Sequence, residues 1–352
     1  MTALLKNEWL KLFKRKSSWI MQIILVVIVA LMAIMIFSIT KITNDSSEPT
    51  AKDGGITAYT NENGQQVSEE EYSRSFDRNG KTNYHAVQLS LQDSVNSLKE
   101  QLKQAPKSEK EQIQNQIDYY QAYIDAGEKP LVMNDFSNAS FFGSLGSSAT
   151  VATILVVIVA STIVAFEFSG GTIKLLLARP YSRSQILLSK YLICIAYAVI
   201  TSITLFVSSL IFSFILPKVS LFLPLSPSTG ATTAFTQAIQ LSGSNFILML
   251  LFLTIAFLFS TVVRSQALAV GVGIGILFSG NILASLLPLA IAKYDWLKWL
   301  LFNLLNLNQA VMGNPVAGGL DIWQIIVGIF IYMALLLALT FTIFRKRDVA
   351  LS

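Results

Sequence analysis

The sequence predicts an all-α integral membrane protein: six transmembrane helices, an N-terminal interfacial helix, and an extracytoplasmic, mainly helical insert between helices one and two. Three observations carry this expectation. Of 352 residues, 53% are hydrophobic and only 13% are charged, with a mean hydropathy of +0.56; a soluble chain carries about 25% charged residues. Residues 41–143 hold 10 Lys and Arg against 16 Asp and Glu, whereas the remainder holds 16 against 5, so an acidic insert interrupts a basic, apolar body. Six apolar stretches, near 19–40, 145–166, 186–216, 245–263, 266–291 and 322–344, each supply the roughly 20 residues that a bilayer core demands.

The N-terminus precedes the first of these stretches with a different pattern. Leu5, Trp9, Leu12 and Phe13 recur at helical spacing while Lys6, Lys14 and Arg15 fill the other side. Residues 1–18 therefore read as an amphipathic helix lying in the membrane interface; the plainer reading is a basic flank that only sets topology. The first span, 19–40, lacks a small-residue cleavage site before Lys41, which favours a retained anchor.

Orientation follows from the short loops. Lys6, Lys11, Lys14, Arg15 and Lys16 precede span one; Lys174, Arg179, Arg183 and Lys190 lie between spans two and three. Arg264 separates spans four and five, and Arg345, Lys346 and Arg347 follow span six. With six spans all four groups fall on one side, which the positive-inside rule makes the cytoplasm. Both termini are then cytoplasmic and the insert, 41–143, is extracytoplasmic. A multi-pass protein of a cell membrane is expected.

The insert resolves into two parts. Asn63-Gly64 between Tyr59 and Val67 signals a short hairpin, followed by a helix from Ser68. Near 84–126 the pattern is helical: Val87, Leu91, Val95, Leu98 and Leu102 form one stripe, and Ile113, Ile117, Tyr120 and Ile124 another. Pro106 breaks the run, and Ser108 with Glu111 reads as a capping box for the second helix. Two such narrow stripes pair as an antiparallel hairpin, marginal alone and suited to a partner surface or to service as a spacer.

Residues 145–352 carry spans two to six. Pro217, Pro224 and Pro227 keep 217–244 out of the bilayer. Residues 284–310 are apolar but interrupted by Pro288, Lys293, Asp295 and Lys298, which suggests short interfacial or re-entrant helices, with Trp296 and Trp299 at headgroup level. Gln22, Asn245, Gln266 and Asn281 fall near span ends, within reach of water. Gly271 and Gly275 form a GxxxG pattern on span five, beside Gly273 and Gly280, and point to close helix packing within the chain or between two copies. No charged residue offers itself as an intramembrane ion or proton relay, so energy is expected to come from outside the chain.

Several chemistries are excluded. Cys194 and His85 are each single, which removes an intrachain disulfide and Cys or His metal clusters and argues against a Ser–His relay. No GxxxxGK[ST] pattern occurs, so ATP is not bound by that route. No span presents the paired carboxylates or nucleophile–base sets of an intramembrane enzyme.

The most specific stretch follows span two, in the cytoplasmic segment 167–185: an acidic residue (Glu167), two glycines (Gly170-Gly171), a short amphipathic helix over 172–178, a stop at Pro180, and Ser182 or Ser184 capping span three. Glu167 is expected to pair with Arg183 or Lys174; an ordinary basic loop touching lipid phosphate is the bland reading. A short helix held between two spans is a suitable lever for a soluble partner.

Glu167, Gly171-Thr172, Leu175-Leu176-Leu177, Arg179-Pro180, Ser182-Arg183 and Lys190 together resemble the pattern of permease subunits of type-2 ATP-binding-cassette (ABC) exporters, in the bacterial branch that handles antibiotics, bacteriocins or sodium. The resemblance covers most of the chain except the insert. It implies an efflux assembly of two permeases, homodimeric or with a related permease, and two separate ABC ATPase subunits. The ATPase chains bind ATP and Mg, and this chain needs no cofactor and is not itself an enzyme. It also implies that Glu167, Gly171, Thr172, Lys174, Arg179 and Arg183 form the ATPase-coupling contact. The cargo would be hydrophobic or amphipathic (an antibiotic, peptide or lipid-like molecule); membrane lipid is a partner and nucleic acid is not. The alternative is a signalling or mechanical adaptor whose coiled-coil hairpin grips a partner without transport.

Overall fold

A computed structural model of the chain describes residues 2–46, 57–60, 66–67, 72, 74–75, 82–130, 137–171, 181–227, 232–263 and 265–346. Six of its helices are long and apolar enough to cross a membrane: α2 (Lys16–Ser46), α6 (Ala149–Ser169), α7 (Arg183–Ser213), α8 (Ala234–Val262), α9 (Gln266–Ile291) and α12 (Ile322–Lys346). All six expected spans are therefore present, and the chain is a multi-pass membrane protein. The largest shift of a boundary is that α8 begins at Ala234, not near 245. After the last proline of the loop, Pro227, nothing opposes a helix, and the Thr233 hydroxyl accepts a hydrogen bond from the Thr236 amide at 3.2 Å as an N-cap does.

The chain divides into two compact units, Met1–Ile34 with Phe141–Ile215 and Gln237–Ser352, and Met35–Ser140 with Leu216–Thr236.

The first unit is a helical bundle. Helix α6 packs against both α7 and α9, and α8 is the most enclosed span, with 72% of its apolar window buried. Tyr191 of α7 meets α8 through its hydroxyl on Thr254 (2.9 Å) and its ring on Phe257 (centroids 5.3 Å). Beyond α9 the chain turns through a 3-10 helix (Asp295–Trp299) and two short helices, α10 (Leu301–Leu304) and α11 (Leu307–Val311). Pro288 lies inside α9; it has no N–H to give the carbonyl four residues back, and the Asn306 amide points at that carbonyl, Ala284 O, at 3.5 Å. The polar residues expected near water are instead partly paired within the protein. Gln22 is buried and donates to Thr201 at 2.8 Å, and Asn245, also buried, accepts from Asn308 at 2.6 Å while Ser244 donates to Asn308 at 2.7 Å. Gln266 and Asn281 are exposed.

Close approach falls on glycines other than the GxxxG pair. A Cβ on Gly273 would sit 2.6 Å from Ser161 Oγ and 2.9 Å from Val157 Cγ1, and one on Gly280 3.2 Å from Leu305 Cδ1. Gly271 and Gly275 face outward, with nothing within 4 Å of such an atom. The pattern does not serve packing among the described residues, because the buried face of α9 is the one that carries Ala269, Gly273, Leu277 and Gly280, with Gly273 against α6.

In the second unit, three short strands, β1 (Thr57–Thr60), β2 (Gln66–Val67) and β3 (His85–Gln88), form an antiparallel sheet in the order β2-β1-β3. Tyr59 lies opposite Val67, and its ring stacks on Tyr72 at 4.2 Å. The Asn63-Gly64 turn and the helix start at Ser68 lie outside the described residues. Val87 belongs to β3, opposite Ala58, and not to the helical stripe, since Ser90 ends the strand and caps α3 (Leu91–Gln104) by accepting the Asp93 amide at 3.1 Å. Helix α4 (Lys107–Ala126) starts one residue before Ser108, with Pro106 at the N-cap position, so the Ser108–Glu111 box does not form. The proline fixes an extended backbone that begins a helix without a side-chain cap. Val95, Leu98 and Ile117 are buried between α3 and α4, flanked by Leu102, Ile113, Tyr120 and Ile124; this burial raises the Tyr120 phenol pKa. Helix α5 (Asn138–Gly143) leads towards α6.

Gly273→Ala is expected to force α6 and α9 apart and to cost about 1–3 kcal/mol, the usual range for overpacking. Gly275→Ala should change the stability of the isolated chain by less than about 0.5 kcal/mol. Thermal unfolding of the purified protein in lipid nanodiscs measures both; equal losses would place Gly275 in a packed contact.

Candidate functional site: a buried charge cluster joining three helices

Helix α1 (Thr2–Phe13) carries its buried face at Leu4, Glu8 and Leu12, one turn apart. Trp9 is 41% exposed and Leu10 42%, so of the apolar stripe Leu5, Trp9, Leu12 and Phe13 it is Leu12 that is buried and Trp9 that stays open. The packing face meets α7: Leu4 and Ile186 form a small core with Phe168 and Tyr181. At the end of α1 the chain bends, and residues of α2 satisfy two carbonyls the helix leaves open. Ser18 Oγ donates to Leu12 O at 2.7 Å, and Trp19 Nε1 to Phe13 O at 2.8 Å. Tyr197 of α7 donates to Ser18 O at 3.2 Å, and the Arg15 guanidinium lies 4.2 Å from the Phe166 ring centre.

Among the described residues, four charged side chains meet at this junction. Lys190 Nζ, on α7, donates to Glu8 Oε2 of α1 at 2.8 Å and to Glu167 Oε1 of α6 at 3.2 Å. Lys11 Nζ reaches Glu167 Oε1 at 3.1 Å and Glu8 Oε1 at 3.6 Å. The side chains of Lys190, Glu8 and Glu167 are 3%, 4% and 7% exposed, and that of Lys11 38%. Two ammonium groups and two carboxylates give no net charge, which permits burial: a lone ion withdrawn from water costs several kcal/mol, and a well-made pair recovers most of it. Neutrality is reached across helices rather than within one, so charge is buried where three helices meet.

The residues singled out in the segment 167–185 are placed differently from one another. Glu167 lies in the cluster, paired with Lys190 and Lys11 and not with Arg183. Arg183 is exposed and its Nη1 donates to Arg345 O at 3.3 Å. It stands at the first turn of α7, seven residues before Lys190, so the two side chains project at different levels of the helix. Gly171 has φ +67°, a left-handed conformation that favours glycine, and it ends α6 where a sharp turn was expected. Ser182 is the serine that caps α7, accepting the Gln185 amide at 3.2 Å while Gln185 Oε1 accepts Ser182 N at 3.0 Å. Thr172, Lys174 and Arg179, with the short helix over 172–178, lie outside the described residues, as do Arg264 and Arg347.

Glu8, Lys11 and the partnership of Lys190 were missed. A signal was present: outside the insert the chain has five acidic residues, and Glu8, Glu167 and Asp348 are the three that adjoin basic segments at the same ends of spans.

Removing Lys190 should leave two buried carboxylates facing one half-exposed ammonium. Lys190→Met is expected to cost about 3–5 kcal/mol, the scale of breaking a buried pair, whereas Lys11→Met should cost only about 1 kcal/mol because solvent already screens it. Thermal unfolding gives the ranking, and limited trypsin cleavage at Lys14–Lys16 reports whether α1 has come away.

Two proteins of Bacillus subtilis (strain 168) are similar to this chain. "Uncharacterized protein YhcI" is 29% identical, with 99% of this chain and all of that protein aligned. "Uncharacterized membrane protein YdbK" is 27% identical over 63% of this chain and 88% of its own length. The model of DUF2705, described as a protein of unknown function, matches residues 113–350, about two-thirds of the chain and all but the first of its spans. On that match the chain belongs to the DUF2705 family.

Proposed function

We propose that this chain is the membrane-spanning permease subunit of an ATP-driven exporter, moving a hydrophobic or amphipathic molecule out of the cell. ATP hydrolysis takes place on a separate ATPase chain, present in two copies, that docks on the segment 167–185. The observation that carries this reading is the buried cluster at Glu8, Lys11, Glu167 and Lys190. A loop that only touches lipid phosphate needs no buried counter-charges behind it. A loop that must transmit force does need them: ion pairs fix α6, α7 and α1 to one another where the segment leaves and re-enters the bundle. Motion imposed on the segment then moves three helices together, not a single strand of chain.

Other features fit the same reading. Lys6, Lys14, Trp9 and Leu10 on the outward side of α1 are exposed, a composition that suits the cytoplasmic headgroup layer. The open GxxxG face of α9 suits a second permease copy. In this reading both termini lie in the cytoplasm of a bacterial cell and the insert outside it, a topology that the bias of Lys and Arg in the short loops supports.

Two measurements test the proposal. An ATPase should copurify with the tagged chain from its native membrane, and Arg179→Ala with Arg183→Ala should lower its hydrolysis rate roughly tenfold, the scale of a lost charge-assisted contact. A copurified ATPase indifferent to the segment would defeat the docking claim. Orientation is accessible to thiol labelling, since the native Cys194 is buried. Lys103→Cys should react with a membrane-impermeant maleimide on intact cells and Lys14→Cys only after permeabilisation; the reverse pattern would invert the protein and end the proposal.

A further inference from the structure

The second unit contains a chain of contacts that ends on the first turn of a span. Tyr123 of α4 is fully buried, and its hydroxyl donates to Pro224 O at 2.8 Å. With Tyr119, whose ring centre is 5.0 Å away, it buries Leu223. Asn138, 3% exposed, holds the same loop further back: its amide donates to Pro217 O at 3.0 Å, and its side-chain oxygen accepts the Val219 amide at 2.7 Å.

The other side of this loop faces α8. Leu223 O accepts the Ala234 amide at 3.2 Å and Leu221 O the Phe235 amide at 3.0 Å, and Pro224 forms an isolated bridge with Thr233. The first four amides of a helix have no partner within it and are usually met by side chains or water. Here loop carbonyls meet two of them, and the position of those carbonyls is set by Tyr123 and Asn138. From there α8 continues unbroken as the most enclosed span of the six.

We propose that the insert is a conformational lever on α8: Tyr123 and Asn138 fix the 217–224 loop, the loop's carbonyls fix the first turn of α8, and displacement of α4 releases that turn. A bare spacer would need only the apolar seam between α3 and α4. A buried hydroxyl aimed at the carbonyl adjoining a helix start does more, because it makes the order of one element conditional on the place of another. The inference stands apart from the exporter reading and applies equally to an adaptor.

Hydrogen–deuterium exchange of the full chain in nanodiscs tests it. Tyr123→Phe removes one hydroxyl and keeps the ring. It should speed exchange at the amides of 234–238 roughly five- to tenfold, the equivalent of one buried hydrogen bond, with 322–346 unchanged. Asn138→Ala should act in the same direction, and Asn138→Asp, which keeps an acceptor for the Val219 amide, should restore protection. Faster exchange confined to 91–126, or no change at 234–238 in either variant, overturns the proposal.

Discussion

A lysine withdrawn from water is the constraint around which this molecule is arranged. Lys190 is almost completely enclosed, and an ammonium in that position is tolerable only with carboxylates in contact. Those carboxylates come from two other helices, so satisfying one charge also fixes the place of α1 and α6 against α7. The apolar contacts follow this arrangement. Leu4 reaches Ile186 one turn away on the same two helices, and the bend after α1 is sealed by Ser18 and Trp19 closing on the carbonyls that the helix leaves behind. Lipid offers no gain for burying one leucine against another, so in such a bundle polar pairing and close packing carry the specificity that the hydrophobic effect supplies in water.

The same economy explains where the glycines matter. Gly273 and Gly280 lie where a side chain would meet Ser161 or Leu305, while the residues that spell the recognisable motif face away from the bundle. A motif states that two helices can come close; it does not say which two. Asn306 and Ala284 make a related point, since the carbonyl left over by Pro288 lies within reach of a side chain from a later short helix, a relation with no local signature.

The spans were legible because length and apolarity are properties of contiguous sequence, and the two stripes of the α3–α4 hairpin because helical periodicity is local as well. Strand β3 was not, since its alternation is too short to distinguish from the helix that follows, and Val87 fits either period. The cluster was half legible: Glu167 stood out as an acid at a span end, but its partners lie 23 and 156 residues away in sequence. Arg183 and Lys174 seemed the natural partners because they are near in sequence, and Lys174 lies outside the described residues. Being near does not bring Arg183 to the same turn of α7, whereas Lys190, one turn beyond Ile186, lies on the face that meets α1. On α1 the large aromatics spelled a stripe for the membrane interface and left the protein-facing side without a signal. The packed side is the one bearing Glu8, because a helix whose neighbour carries a buried lysine must turn its carboxylate inward.

The four ions of the cluster are not equivalent, and their inequality bears on how the junction can move. Lys190 is locked away, so its pairs with Glu8 and Glu167 cannot part without stranding charge. Lys11 is 38% exposed and sits on the helix that already carries Glu8, so water can replace its contacts at small cost. Motion that separates α6 from α1 at Lys11 is therefore cheap, whereas motion that separates either from Lys190 is expensive. The junction admits a pivot about Lys190 and resists dissociation from it. A rigid joint with one yielding contact lets the ends of two spans tilt together while the bundle stays intact, whatever delivers the force.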